Sequence, residues 1–155
     1  MKLSSPAFPQ GGRIPKQYTG DGNDISPPLA WEGAPPNTKE FALVCDDPDA
    51  PTPQPWVHWV VYGIPADTCR VTEGASQSGN MPGVEGKNSW KSGQIVGYRG
   101  PAPPAGHGVH HYHFRLYALA TTLSLPPRMD KEGLINAAKG QILAEAEIVT
   151  TYERK

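Results

Sequence analysis

This chain lacks the features that would carry it across a membrane, onto a nucleic acid or into a covalent scaffold. No stretch approaches the ~20 apolar residues that span a bilayer. The opening Met1-Lys2-Leu3-Ser4-Ser5-Pro6 has no apolar segment of a secretion signal. A soluble, cytoplasmic protein without stable membrane insertion is therefore expected. Formal net charge is -1, with acids and bases interspersed, so there is no basic field to track a phosphodiester backbone, and nucleic acid is not an expected partner. There are only two cysteines, Cys45 in an apolar strand pattern and Cys69 in a loop; two reduced thiols fit that usage better than a disulfide. Internal repeats and charge runs are also missing, and residues 1-155 read as a single domain.

Proline and glycine, by contrast, are plentiful, with 18 and 17 copies. They fall between apolar runs rich in β-branched and aromatic residues, as loop punctuation in a strand-rich fold does. Strands are expected at Phe41 to Asp46, Trp56 to Ile64 and Tyr112 to Ala120, with a short one at Lys2 to Ser5 and a brief pairing around Ile95 to Tyr98. After Pro126-Pro127, Asp130 can cap a helix in which Leu134, Ile135, Ala138 and Ile142 recur at helical spacing. Beyond it Ala144, Ala146, Ile148, Thr150 and Tyr152 alternate with more polar neighbours, the pattern of a closing strand with one buried face. The expected fold is mainly β, with one helix near the C-terminus.

Two segments carry the chemistry. Asp47-Pro48-Asp49-Ala50-Pro51 leads into Trp56-Val57-His58-Trp59, and Gly97-Tyr98-Arg99-Gly100-Pro101-Ala102-Pro103-Pro104-Ala105-Gly106-His107-Gly108 leads into Val109-His110-His111-Tyr112. Each puts a histidine at the start of an apolar strand, just after a loop stiffened by proline. Side chains two apart on a strand share a face. That parity sets His110 and Tyr112 with Phe114, Leu116 and Ala118, sets Asp47 with Phe41, Leu43 and Cys45, and sets His58 with Trp56, Val60 and Tyr62. His111 and His113 fall on the opposite, polar face. A carboxylate turned toward apolar surroundings needs partners, so Asp47 is expected to accept hydrogen bonds from an imidazole or from loop amides. Its charge would favour the protonated form of that ring. Residues 40 to 69 contain no Lys or Arg, and between Ser92 and Phe114 only Arg99 appears. An anion held here would rest on histidine N–H groups, the Tyr112 hydroxyl and backbone amides, more weakly as the histidines lose their protons.

These two segments, with Asp21-Gly22-Asn23-Asp24-Ile25-Ser26-Pro27-Pro28-Leu29-Ala30-Trp31 before them and Phe114-Arg115-Leu116-Tyr117-Ala118-Leu119 after, resemble the phosphatidylethanolamine-binding protein family, also called Raf kinase inhibitor-like proteins, in its short bacterial and archaeal form. The resemblance implies that family's β-sandwich. It also implies an anion site for a phospholipid headgroup, a nucleotide phosphate or another phosphorylated group, formed by Asp47, Ala50, Pro51, Trp56, His58, Gly100, Pro104, His110 and Tyr112. It further implies inhibition of a partner kinase or protease, a homodimer, and a cis peptide at Ala50-Pro51 or Gln54-Pro55; no cofactor is expected. The arginine that usually follows the second histidine is His111 here, which removes a cation from the rim. The C-terminal helix and site tyrosine of longer eukaryotic members are also missing from the matching positions.

Other readings stay open on the residues alone. His58 and His110 could act as acid and base on a small molecule, and Asp47 and His58 could serve Ser26 or Ser89 as a nucleophile, although neither serine sits in a nucleophile-elbow sequence. His107, His110, His111 and His113, with Asp47 or Asp49, could suit a metal-dependent hydrolase, but parity divides them between two faces. Binding without turnover is the preferred reading, with no metal.

Overall fold

A computed structural model describes all residues, 1–155. Its frame is a five-stranded antiparallel sheet in the order β6-β4-β3-β7-β8, made of β3 (Glu40–Asp47), β4 (Trp56–Pro65), β6 (Val84–Glu85), β7 (His110–Leu119) and β8 (Ile142–Tyr152). A second, three-stranded sheet, β1-β2-β5, comprises β1 (Lys2–Ser4), β2 (Leu29–Glu32) and β5 (Arg70–Val71). Two helices, α1 (Ala75–Ser78) and α2 (Lys131–Ala138), and two 3-10 turns at Lys16–Tyr18 and Trp90–Gly93 complete it. No helix is long and apolar enough to cross a membrane.

The large sheet buries both faces. On one side Phe41, Leu43, Cys45, Trp59, Val61, Phe114 and Leu116 meet Leu3, Leu29, Trp31 and Val71 of the small sheet. On the other, Ala42, Val44, Val60, Tyr62, Tyr117 and Leu119 are covered by Leu134 and Ala138 of α2. β3 lies between β4 and β7 and is buried at every position. That explains why its sequence is continuously apolar from Phe41 to Cys45, where an edge strand would alternate. Each large side chain so buried is worth about 1.5–3 kcal/mol. Cys45 is among them and Cys69 is exposed; both are free thiols.

Asp130 caps α2, accepting a hydrogen bond from the Gly133 amide at 2.8 Å. The helix is shorter than its periodicity suggested: Lys139 turns extended and Ile142, expected on the helix, begins β8. Residues 95–98 form no strand, only a single bridge from Val96 to Lys87. The main correction to parity is in β4. Cys45 pairs with Trp59 and Asp46 pairs with Val57, leaving His58 as an extra residue in a β-bulge. Val60 and Tyr62 consequently pack on the helix side of the sheet, and His58 does not share their face.

Candidate functional site

The bulge and the two proline-rich loops converge at one end of the large sheet. Asp47 ends β3, Trp56 starts β4 with His58 two residues on, and His110 starts β7 with Tyr112 two residues on. Together with Ala50, Pro51 and Pro104 they line a cavity of about 130 Å³, completed by Thr52, Trp90, Ala102 and Pro103. Eight of the nine residues expected at the site are thus in its wall. Gly100 is not. Its amide donates to Asp24 Oδ1 at 2.7 Å, and a Cβ there would lie 2.0 Å from the Tyr18 carbonyl oxygen, so glycine is required for close packing beneath the loop. No peptide bond is cis. The trans form is favoured by about 0.5–1 kcal/mol for X-Pro bonds, and with Ala50-Pro51 trans the turn closes through the Thr52 amide on the Ala50 carbonyl at 2.8 Å.

Asp47 and His110 form the floor. The His110 Nδ1 lies 2.6 Å from Asp47 Oδ2, and both side chains are almost wholly shielded from solvent. A carboxylate only accepts, so Nδ1 carries the proton. The other oxygen, Oδ1, accepts the Asp49 amide at 2.8 Å. The second ring nitrogen of His110 is also engaged, 2.6 Å from His107 Nδ1.

His58 departs from the expectation of a protonated ring. Burial is the largest effect on it and lowers its pKa from the ordinary 6.5 to about 4, against the Arg99 carbonyl and the charge of Asp47, which both raise it. The ring is neutral at pH 7, its Nδ1–H donating to the Arg99 carbonyl at 2.6 Å. It packs edge-on against Trp90 and Tyr112, with centroids 5.0 and 5.1 Å away. His58 Nε2 and Tyr112 Oη have no hydrogen-bond partner in the chain. Trp31 Nε1 is the only fully buried polar side-chain atom without one, so both atoms reach the space of the cavity. Burial, then the charge of Asp47, push the Tyr112 pKa well above its ordinary value, and its hydroxyl remains a donor. The floor therefore offers one free donor, one free acceptor and the Asp47–His110 pair, within walls of indole, phenol and proline.

The other histidines lie outside the wall. His111 is exposed, and its amide and Nδ1 both meet Asp49 Oδ2 at 2.8 Å. Burial works against the Asp49 charge, but the bonds from His111 outweigh it and lower its pKa. His113 Nδ1 meets Glu147 at 3.1 Å. No three His, Cys, Asp or Glu side chains are grouped closely enough to hold a metal ion. The lining contains no serine or cysteine: Ser26 is bonded to Gln77 and Ser76, and Ser89 Oγ accepts the Val57 amide. From sequence His107 is only a metal candidate, and its contact with His110 goes unforeseen; the signal for it is the Gly-His-Gly-Val-His spacing, two imidazoles three apart on a glycine-flanked loop. A wider groove of about 980 Å³ adjoins the cavity, sharing Thr52 and Trp56 with it and running past Gln54, Lys87, Lys131 and Lys139.

A family model described as phosphatidylethanolamine-binding protein matches residues 4–153. A curated UPF0098 protein of Methanothermobacter thermautotrophicus is 48% identical over 156 residues, covering 99% of each chain. The phosphatidylethanolamine-binding protein homolog CT736 of Chlamydia trachomatis has a solved structure that superposes with a TM-score of 0.90 at 37% identity, over 99% of this chain and 97% of its own. E. coli YbcL superposes equally well, with a TM-score of 0.90 at 31% identity over 99% and 98% of the two chains.

Proposed function

This chain belongs to the phosphatidylethanolamine-binding protein family, and on that premise we propose that its cavity binds a small phosphate-bearing anion without turning it over. The observation that carries the reading is the buried Asp47–His110 pair at 2.6 Å beneath the unpartnered Tyr112 hydroxyl. An anion held there would take as donors the Tyr112 hydroxyl and, once His107 has left it, Nε2–H of a His110 that carries both ring protons, the charge on Asp47 balancing the imidazolium. Size narrows the ligand. Drug-sized pockets run to about 300–1,000 Å³, and a cavity of about 130 Å³ takes a phosphate or a compact headgroup. A nucleotide, lipid or phosphorylated side chain would place only its phosphate end inside, its remainder lying along the adjoining groove past Lys87 and Lys139.

Turnover has less support. Neutral His58 has a free nitrogen, yet no serine or cysteine stands in the wall for it to activate, and the Thr52 hydroxyl there donates to the Gln54 carbonyl. A partner kinase or protease would have to engage the groove or the proline-rich rim. A carboxypeptidase Y inhibitor of this fold, solved with its cognate proteinase, is 17% identical to this chain and lends the fold alone to that idea.

The test is an NMR titration near pH 6.5, close to the unperturbed histidine pKa, following the imidazoles of His58 and His110 as inorganic phosphate and then phosphorylethanolamine are added. Saturable shifts at both rings are expected, and Asp47→Asn and His110→Ala should each weaken binding by about tenfold or more while the fold persists. Binding that survives both substitutions would move the site elsewhere.

A further inference from the structure

His107 holds the atom that an incoming anion needs. Its ring Nδ1 is 2.6 Å from His110 Nε2, with ring centroids 4.9 Å apart and planes tilted by 54°. Because His110 Nδ1–H is committed to Asp47, the contact between the two rings contains one proton. Either His107 Nδ1–H donates to a neutral His110, or a cationic His110 donates to His107. In both arrangements His110 has no N–H left for a ligand. When both rings are fully protonated, two N–H groups point at each other and the contact is repulsive.

The loop is built to let His107 leave. His107 is exposed, and it stands between Gly106 at φ +76° and Gly108 at φ +91°, both with open space where a Cβ would be. The segment is anchored by the Gly106 amide on the Arg154 carbonyl at 2.8 Å and by the His107 amide on the Pro104 carbonyl at 3.2 Å, neither of which depends on where the ring points. The charged and titratable groups around the pair come from each neighbouring element. They are Asp47 and Asp49 from β3 and the loop after it, His58 from β4, His111 and Tyr112 from β7, Tyr152 of β8, which pairs with His110 and donates its hydroxyl to Asp21, and Arg154 beyond β8 in its own pair with Asp21. Asp49 is bonded to His111, Arg154 to Asp21, and His58 and Tyr112 are uncharged at neutral pH. Asp47 is thus the one counter-charge committed to the pair.

We infer that His107 is a specificity-determining gate of the anion pocket: it occupies His110 Nε2 while the two rings share a proton, and it turns out on its flanking glycines when both are protonated. An anion therefore enters at the expense of this contact and with uptake of protons, and the pocket selects small anions that are present where pH is low enough to release the gate. The inference rests on the anion reading of the cavity.

The experiment measures inorganic phosphate affinity of the wild type and of His107→Ala at about pH 8 and about pH 5.5, a span over which histidine side chains in general change charge. At the higher pH the variant should bind about three- to tenfold more tightly, the worth of one hydrogen bond removed from competition. At the lower pH the two proteins should agree within about twofold. Equal affinities at both pH values would overturn the gate and leave the pocket reading standing. A gain of the same size at both would show simple obstruction and overturn the proton control. If neither protein binds phosphate at either pH, the gate falls together with the anion reading.

Discussion

Asp46 and Asp47 are consecutive, both buried, and opposite in circumstance. Asp46 points to the helix side of the sheet, where Lys131 Nζ reaches its Oδ2 at 2.6 Å and Arg115 Nη1 reaches its two oxygens at 3.2 and 3.3 Å. Asp47 points to the cavity, where its charged-group partner is the imidazole of His110. The first carboxylate is neutralised by permanent cations and ties the start of α2 to β3. The second is neutralised only when an imidazole holds an extra proton. Side chains that alternate along one strand thus give the sheet a fixed electrostatic clamp on one face and an adjustable one on the other. Burial alone does not separate structural from functional carboxylates here; the chemistry of the partner does.

The largest expected effect breaks the clamp. Asp46→Ala removes this partner from Lys131 and leaves Arg115 with Glu147 alone, the two cationic side chains each being 29% exposed. Losing one member of a buried ion pair costs about 3–5 kcal/mol, and solvent at the two cations should reduce this to about 2–4 kcal/mol. Urea denaturation would measure it, with phosphate affinity unchanged within about twofold. A matching collapse of phosphate binding would show that the two faces are not independent.

Acid should act on the cavity face instead. His58 has a folded pKa of about 4 against an ordinary 6.5, so the unfolded chain binds the extra proton first. The stability this represents is fully present above pH 6.5 and is lost as pH falls through the window to about 4, reaching about 3 kcal/mol. Denaturation curves of the wild type and of His58→Gln at several pH values across that window should converge as the pH drops, the variant lacking this part of the acid slope. Parallel curves would mean that the His58 ring is solvated and titrates normally.

These contrasts also mark what was legible in the sequence. Strand parity found Asp47, His110 and Tyr112 because β3 and β7 pair in unbroken register from Glu40↔Leu119 to Asp46↔His113. It misplaced the neighbours of His58 because a bulge is a property of two strands in register, and no single strand announces it. The proline-rich loops disclosed where a pocket would form, but not that Gly100 serves packing, nor that the His58 ring is neutral. Its charge state depends on how deeply the ring is buried, a tertiary quantity. Asp46 escaped notice for a similar reason: its partners are 69 and 85 residues away, beyond any local spacing rule. The end of α2 was misread because Ile142 satisfies helical and strand periodicity equally well.

The smallest effect sharpens the comparison most. Tyr112 is almost wholly buried, yet its hydroxyl has no partner in the chain. Removing that oxygen with Tyr112→Phe deletes no internal hydrogen bond and leaves the ring to pack against His58 at 5.1 Å. Stability should therefore change by less than about 0.5 kcal/mol, in contrast to the loss at Asp46. Phosphate affinity should fall about three- to tenfold, the worth of one donor. The size of that loss should not vary between about pH 6 and 8, because the phenol stays protonated throughout. Calorimetric titration alongside thermal denaturation reads both quantities on one sample. A destabilised variant would place the Tyr112 hydroxyl with Asp46 among the groups that hold the fold, while a stable variant with weakened phosphate binding places it with Asp47 among those reserved for a ligand.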